Sequence, residues 1–354
     1  MNSKTAVALI FGGRSAEHDV SISSARAIFA NLDPARYAVI CIYIDRTGRW
    51  RRADSPQGSP AELARGVFRT FLPWGGGDRL PVQADIYWPV LHGPYGEDGT
   101  IQGLFELADV PYVGAGVLGS AAGMDKAVMK ELFRSRGLPI VSHETVLESE
   151  WRGKPKAVLR RIRTALALPV FVKPANLGSS VGITKVKAWK GLEPAFEAAF
   201  GYDGKIVVEK GLDCRELECA VLGNDNPEAS VPGEVIPGGE FYDYADKYLD
   251  GKTGFGIPAN LPAALVSQIR RAAVEAYRAC ECAGMARLDF FLERGTQKLY
   301  VNEINTLPGF TEISMYPKLW AVEGLPFPRL VERLIALGFE RHEAKKRRVD
   351  RALG

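Results

Sequence analysis

Apolar positions fall into short continuous runs in the first third of the chain and into alternating, paired runs in the last. Ala6 to Phe11 is unbroken apolar, passes through the turn GGRSAEHDVS, and gives way to helical spacing through Ile28. Tyr37 to Ile44 and Ile86 to Leu91 are two more such runs. Strand, loop and helix in this order predict the opening of an α/β domain, with ligands expected at the loops that follow the strands. The stretch from Arg51 to Asp78, rich in Pro, Gly, Arg and Ser, reads as a surface excursion. Further on, Met124-Asp125-Lys126 opens a helix, and Leu168 to Val172 predicts a strand leading into a Gly/Ser-rich turn. Ile206 to Leu212 is an apolar strand with a polar connector, and Arg215 to Val221 an alternating one.

The pattern is sharpest between Gly284 and Ser314. Ala286 to Leu292 and Leu299 to Ile304 flank the polar segment Glu293 to Lys298, which predicts an antiparallel hairpin. With the loop centred on Thr296, Asp289 lies opposite Glu303 and Arg287 opposite Asn305, all on one face. By the same parity Phe291 and Val301 continue that face, while Leu288 and Ile304 point to the other layer.

Directly opposed carboxylates repel. A divalent cation held by Asp289, Glu303 and the amide oxygen of Asn305 turns that repulsion into a binding site, and an oxygen-only donor set favours Mg²⁺ or Mn²⁺ over zinc. A solvated strand face with ordinary charges is the alternative. Glu17 is suited to hold an ammonium, or else serves as a first-turn acid of the helix. His92, in a strand-to-helix loop with three glycines and two acids, is a substrate-positioning donor or a structural loop histidine. Lys173 and the loop through Ser180 expose a charge, N–H groups and hydroxyls to phosphate, although neither GxxxxGK[ST] nor GxGxxG is present; a plain hairpin loop is the other reading. Glu209 suits an adenine amine and Glu216 a ribose, or both are surface carboxylates. The aromatic, charged segment FYDYADKY has the character of a lid.

Composition narrows the class. The 354 residues allow two or three domains, and 46% hydrophobic with 25% charged residues carries no signature of disorder. No apolar run approaches the ~20 residues that span a bilayer, and the N-terminal apolar run enters a glycine turn, so it reads as a strand rather than a signal peptide. Five cysteines without metal-like spacing point to a reducing compartment, and cytoplasm is the expectation. A net charge of +3, with basic residues concentrated only in the tail HEAKKRRVDRALG, gives no nucleic-acid platform.

Seven ordered segments carry a further implication: GGRSAEHDVSISSA, LHGPYGEDGTIQG, GMDKAVMK, VKPANLGSSVG, VVEKGLDCRELECAVLGN, FYDYADKY, and GMARLDFFL with VNEINTLPGFTEISMYPKLW. Over nearly the whole chain they resemble the ATP-grasp superfamily and, within it, the D-alanine:D-alanine ligase family. The resemblance implies an α/β chain, α+β in its ATP-grasp part, with three domains: a Rossmann-like parallel-sheet domain over 1–122, a central domain over 123–214 and a C-terminal domain over 215–354. ATP would lie between the last two.

Residue by residue, Glu17 then orients the amine of the first D-alanine and His92 lies near its carboxylate. Lys126 and Lys173 reach ATP phosphates, with Ser180 in the same loop. Glu209 contacts adenine beside Lys210 and Leu212, Glu216 holds ribose, and Phe291 floors the nucleotide. Glu17, Ser179 and Tyr248 form a hydrogen-bonded triad, and Lys247 is a lid lysine reaching ATP. Asp289, Glu303 and Asn305 hold Mg²⁺ or Mn²⁺, Arg287 and the Gly309 N–H stabilise an oxyanion, and Ser314 and Met315 hold the second substrate. The implied activity is ATP-dependent ligation of two D-alanines through an acyl phosphate, for peptidoglycan precursors, by a homodimer without nucleic-acid or membrane partners. Tyrosine at 248 favours D-alanine over D-lactate as the second substrate. Another carboxylate-amine ligase, such as a D-alanine:D-lactate ligase, and a non-catalytic nucleotide-binding relative are the competing readings.

Overall fold

The computed structural model of the chain describes residues 4–65, 67–68, 83–178, 180–236 and 254–353, so Ser179 and the FYDYADKY segment with Lys247 and Tyr248 lie outside the described residues. Its strands form three sheets. In the first, β1 (Thr5–Gly12) lies between β2 (Tyr37–Ile44) and β5 (Ile86–Val90) and runs parallel to both. An apolar residue at every position is what a parallel strand covered on both faces requires. Accordingly, Val7, Leu9 and Phe11 enter one core and Ala8 and Ile10 another. The helix α1 (His18–Asn31) follows β1 directly.

The stretch read as a surface excursion is partly built into this sheet. β3 (Trp50–Ala53) pairs antiparallel with β2, and β4 (Val67–Phe68) pairs with β3. Between them the short helix α2 (Pro60–Leu63) is closed by a reciprocal Ser59–Glu62 cap, and it drops Leu63 into the core. The Pro and Gly content marks the turns but hides the short strand and helix between them.

The second sheet runs β6 (His143–Leu147), β9 (Lys205–Lys210), β7 (Val170–Pro174), β8 (Thr184–Val186), all antiparallel. The Gly/Ser-rich loop therefore joins two antiparallel strands, β7 and β8. Before this sheet come α3 (Thr100–Leu107), α4 (Val117–Met124) and α5 (Lys126–Ser135). Asp125 caps α5 by accepting from the N–H groups of Ala127 and Val128.

In the third sheet the order is β13 (Gly254–Gly256), β12 (Gly233–Ile236), β10 (Cys214–Leu222), β14 (Met285–Glu293), β15 (Leu299–Asn305). The helix Ala263–Ala279 and α5 pack on it, so that Met129, Phe133, Ile269 and Tyr277 share one core with Leu288 and Phe290.

The hairpin β14–β15 has the anticipated register at its open end, with Arg287 opposite Asn305, Leu288 opposite Ile304 and Asp289 opposite Glu303. Beyond Asp289 the register shifts, Phe290 pairs with Val301, and Asn302 is the extra residue of a β-bulge. The expectation for Val301 is thereby corrected. It is fully buried in the core with Leu288 and Phe290, on the side away from Asp289, whereas Phe291 stays on the Asp289 face. The signal was present in β15 itself, because its core residues Leu299, Val301 and Ile304 break the two-residue period between 301 and 304. A bulge is what keeps all three apolar and still turns Glu303 to the other side. Replacing Val301 by Asn should therefore destabilise the fold by about 3 kcal/mol, the scale of an unsatisfied polar group in a packed core. Urea unfolding at unchanged m-value would show it, and a wild-type midpoint would return Val301 to the open face.

Candidate active site

The second and third sheets face each other across a cleft of about 720 Å³. β7 contributes Phe171 and Lys173, β9 Glu209 and Lys210, and the connector Leu212. From the other side come Glu216 and Glu218 of β10, Asp289 and Phe291 of β14, and Glu303 of β15, while Lys126 and Ser180 close one end. Ten of the residues singled out from the sequence thus meet in one place: Lys126, Lys173, Ser180, Glu209, Lys210, Leu212, Glu216, Asp289, Phe291 and Glu303.

A second cavity of about 80 Å³ adjoins it and shares Glu218 and Glu303. Its lining includes Glu17, His92, Glu97, Arg287, Asn305, Gly309, Ser314 and Met315, brought together from the first and third sheets.

At the base of the large cleft Glu209 is 2% exposed, yet it is charged. Burial alone would raise its pKa, but Lys130 Nζ at 2.5 Å and Lys173 Nζ at 2.7 Å hold it down at about 2. Both carboxylate oxygens are thus engaged by lysines, so the side chain read as an adenine contact is first of all a counter-ion. Burial works against the charge of Lys173 too, and Glu209 more than offsets it. Lys126 donates to the Leu177 carbonyl at 2.6 Å, tying α5 to the Gly/Ser-rich loop, and lies 3.9 Å from Glu303.

On the hairpin face Arg287 grips both oxygens of Asp289 at 2.7 Å, and its Nε lies 3.2 Å from Glu218. Burial disfavours the guanidinium charge, but these two carboxylates outweigh it and raise the pKa further. The Asn305 amide donates to Asp289 at 3.1 Å. Among the described residues no group of three His, Cys, Asp or Glu is gathered for a metal. Two carboxylates and an amide oxygen are nonetheless the kind of donor set that would suit a hard cation.

Around the small cavity, glycines make room for a carboxylate. A Cβ at Gly93 would come within 2.7 Å of Glu17 Oε2, and one at Gly178 within 2.8 Å. His92 is buried, with Nδ1 2.9 Å from the Leu307 carbonyl and Nε2 3.0 Å from Ser24 Oγ. A carbonyl only accepts, so the proton sits on Nδ1 and Ser24 donates to Nε2. Burial pushes the histidine's pKa down, which agrees with a neutral ring. Ser314 Oγ accepts from the Thr311 N–H at 2.9 Å and would lie 2.8 Å from any Cβ at position 309, so a side chain there would have to displace the Ser314 hydroxyl.

Two family models match the chain, one described as D-ala D-ala ligase N-terminus over residues 6–115 and one as D-ala D-ala ligase C-terminus over residues 132–336. The chain belongs to the D-alanine–D-alanine ligase family. It is 52% identical over 343 residues to the D-alanine–D-alanine ligase of Solibacter usitatus, covering 97% of this chain and 98% of that relative. The solved D-alanine–D-alanine ligase of Coxiella burnetii superposes with a TM-score of 0.87 at 38% identity, over 98% of this chain and 97% of that one. The VanG D-Ala:D-Ser ligase of Enterococcus faecalis gives 0.83 at 34%, over 95% and 100%. The α/β, ATP-grasp fold anticipated for a D-alanine–D-alanine ligase family member is the one observed.

Sequence reasoning missed Lys130, Glu97, Glu218, Ser24 and Phe171. Lys130 had a legible signal, since it stands four residues after Lys126 on the same helix face. Glu97 is buried and accepts from the N–H groups of Gly93 at 2.8 Å and Leu307 at 3.1 Å, joining the first sheet's loop to the segment after β15. Burial first, and then the Glu17 charge, push its carboxyl up to about 8 from an ordinary 4.5. The folded protein therefore keeps a proton here that the unfolded chain releases, and stability falls as pH rises from about 4.5 to about 8. Glu97→Gln should abolish that part of the decline, read as urea midpoints across the same pH range. Parallel pH slopes in the two proteins would contradict it.

Proposed function

We propose that the chain joins two D-alanines to D-alanyl-D-alanine at the expense of ATP, for peptidoglycan precursors. The observation that carries this reading is the meeting of two cavities at Glu218 and Glu303, on a chain 52% identical to a protein named D-alanine–D-alanine ligase. The larger cavity has the dimensions and polarity of a nucleotide site, with Phe171 and Phe291 as apolar walls and Lys126 and Lys173 as cations. The smaller one pairs Glu17 with Arg287, anion and cation, as an amino acid requires.

In this reading the first D-alanine is held by Glu17 at its ammonium, with His92 beside its carboxylate. That carboxylate attacks the γ-phosphorus of ATP; the bond to ADP breaks and an acyl phosphate forms, with Lys126 and Lys173 taking up developing charge. The amine of the second D-alanine, placed by Ser314 and Met315, then adds to the acyl carbon. Arg287 and the Gly309 N–H stabilise the oxyanion, phosphate leaves, and the nitrogen keeps one hydrogen as the amide N–H and gives its surplus proton to the departing phosphate as the peptide bond closes. Asp289, Glu303 and Asn305 would hold a divalent cation, which would supply Lewis-acid charge to the phosphate oxygens. Glu209 orders the cations, Lys210 and Leu212 border the adenine, and Glu216 meets the ribose. In the same proposal Ser179 and Tyr248 act with Glu17 at the first D-alanine, Lys247 acts on ATP, and Ser180 lines the cleft.

The same proposal includes the three-domain division at 122 and 214, a homodimer and the cytoplasm; no helix among the described residues is long and apolar enough to cross a membrane.

Phosphate release with ATP and Mg²⁺ should require D-alanine and be much weaker with L-alanine as sole amino acid or with D-lactate as second substrate. Turnover that ignores D-alanine would sink the assignment. Asp289→Ala should lose ligation with the fold intact by circular dichroism, and full activity would refute the metal assignment. Arg287→Met should lower kcat by about a hundredfold to a thousandfold, the scale of an oxyanion donor.

A further inference from the structure

The helix α5 turns Lys126, Met129 and Lys130 toward β15. Lys126 lies 3.9 Å from Glu303, the Ile304 N–H meets Met129 Sδ at 3.4 Å, and Lys130 Nζ lies 3.4 Å from the carbonyl oxygen of Asn302, the bulge residue. The same Lys130 ammonium holds Glu209, whose other oxygen holds Lys173. Lys130 is 1% exposed and does not line the cleft, so it reaches no ligand directly. A plain core position gains nothing from a lysine, because a buried cation contributes less than an apolar side chain of the same size. Nor does Glu209 need two lysines for neutrality. One suffices, and the second ties the same carboxylate to α5 and, through Asn302, to β15.

We propose that Lys130 is a positioning residue that sets the nucleotide and metal halves of the site as one unit. It fixes the Glu209 carboxylate, through which Lys173 is aimed into the cleft, and it anchors the Asn302 bulge that turns Glu303 toward the same space. The inference rests on the reading of the large cleft as the nucleotide site.

The test uses the full chain, with ATP binding followed by calorimetry in Mg²⁺ without D-alanine, and Mn²⁺ binding followed by electron paramagnetic resonance. Lys130→Met should weaken both by about tenfold or more, the scale typical of groups that orient ligands from behind. The KM for D-alanine should stay at the wild-type value, and Lys130→Arg should recover part of the ATP affinity. In a background of Glu209→Gln, adding Lys130→Met should cost little further ATP affinity measured without Mg²⁺, since Lys130 reaches the nucleotide half of the site through that carboxylate. Wild-type ATP affinity in Lys130→Met, or a D-alanine KM that moves in step with it, would overturn the proposal. Should Lys130→Met not fold alone, the pair with Glu209→Gln removes both charges together, and a further tenfold loss of that Mg²⁺-free affinity relative to Glu209→Gln would overturn it equally. A wild-type chain that binds no ATP strikes the nucleotide reading itself, an outcome distinct from an unaffected Lys130 variant.

Discussion

Two carboxylates set directly across an antiparallel pair repel, and the arrangement around Asp289 and Glu303 is organised by what offsets that repulsion. The offset comes from cations. Arg287 clamps Asp289 from two residues away on the same strand face, and Lys126 approaches Glu303 from α5. The hairpin could not hold its acids toward the cleft without them, and the cations would lack a reason to converge without the acids. An incoming phosphate and a divalent ion change this balance together, since one brings negative charge to the lysines and the other positive charge to the carboxylates.

The same logic recurs deeper in the protein. Glu209 remains ionised in the interior only because Lys130 and Lys173 flank it. The chain thereby orients a lysine without a rigid side chain to do so, because a buried carboxylate with two partners leaves Lys173 few alternatives. Around the smaller cavity the device is steric instead. Gly93 and Gly178, from loops of the first and second sheets, admit the Glu17 carboxylate between them. The loops are glycine-rich where a side chain of another loop has to enter.

Much of this was legible in the residues. The unbroken apolar run of β1 marked a parallel strand, the run Leu168 to Val172 marked the strand that enters the Gly/Ser-rich turn, and the pairing of Asp289 with Glu303 followed from period-two alternation about a loop centred on Thr296. Val301 was misassigned because parity was carried through Asn302 as though β15 were regular. The Arg51 to Asp78 stretch was read as surface because Pro and Gly dominate its composition, although Leu63 belongs to the core.

What the amino-acid order alone determined was local: which segments become strands, which face of the hairpin carries oxygen donors, and which loops must leave space. Alternation and backbone freedom act between residues close in the chain, so they can be read from one segment at a time. Only the tertiary structure decided which charges meet. Glu209 finds Lys130 and Lys173 from two other elements, Glu97 joins Gly93 to Leu307, and the Leu307 carbonyl sets the tautomer of His92. Those partners are far apart in sequence, and their protonation depends on burial that no single segment creates by itself.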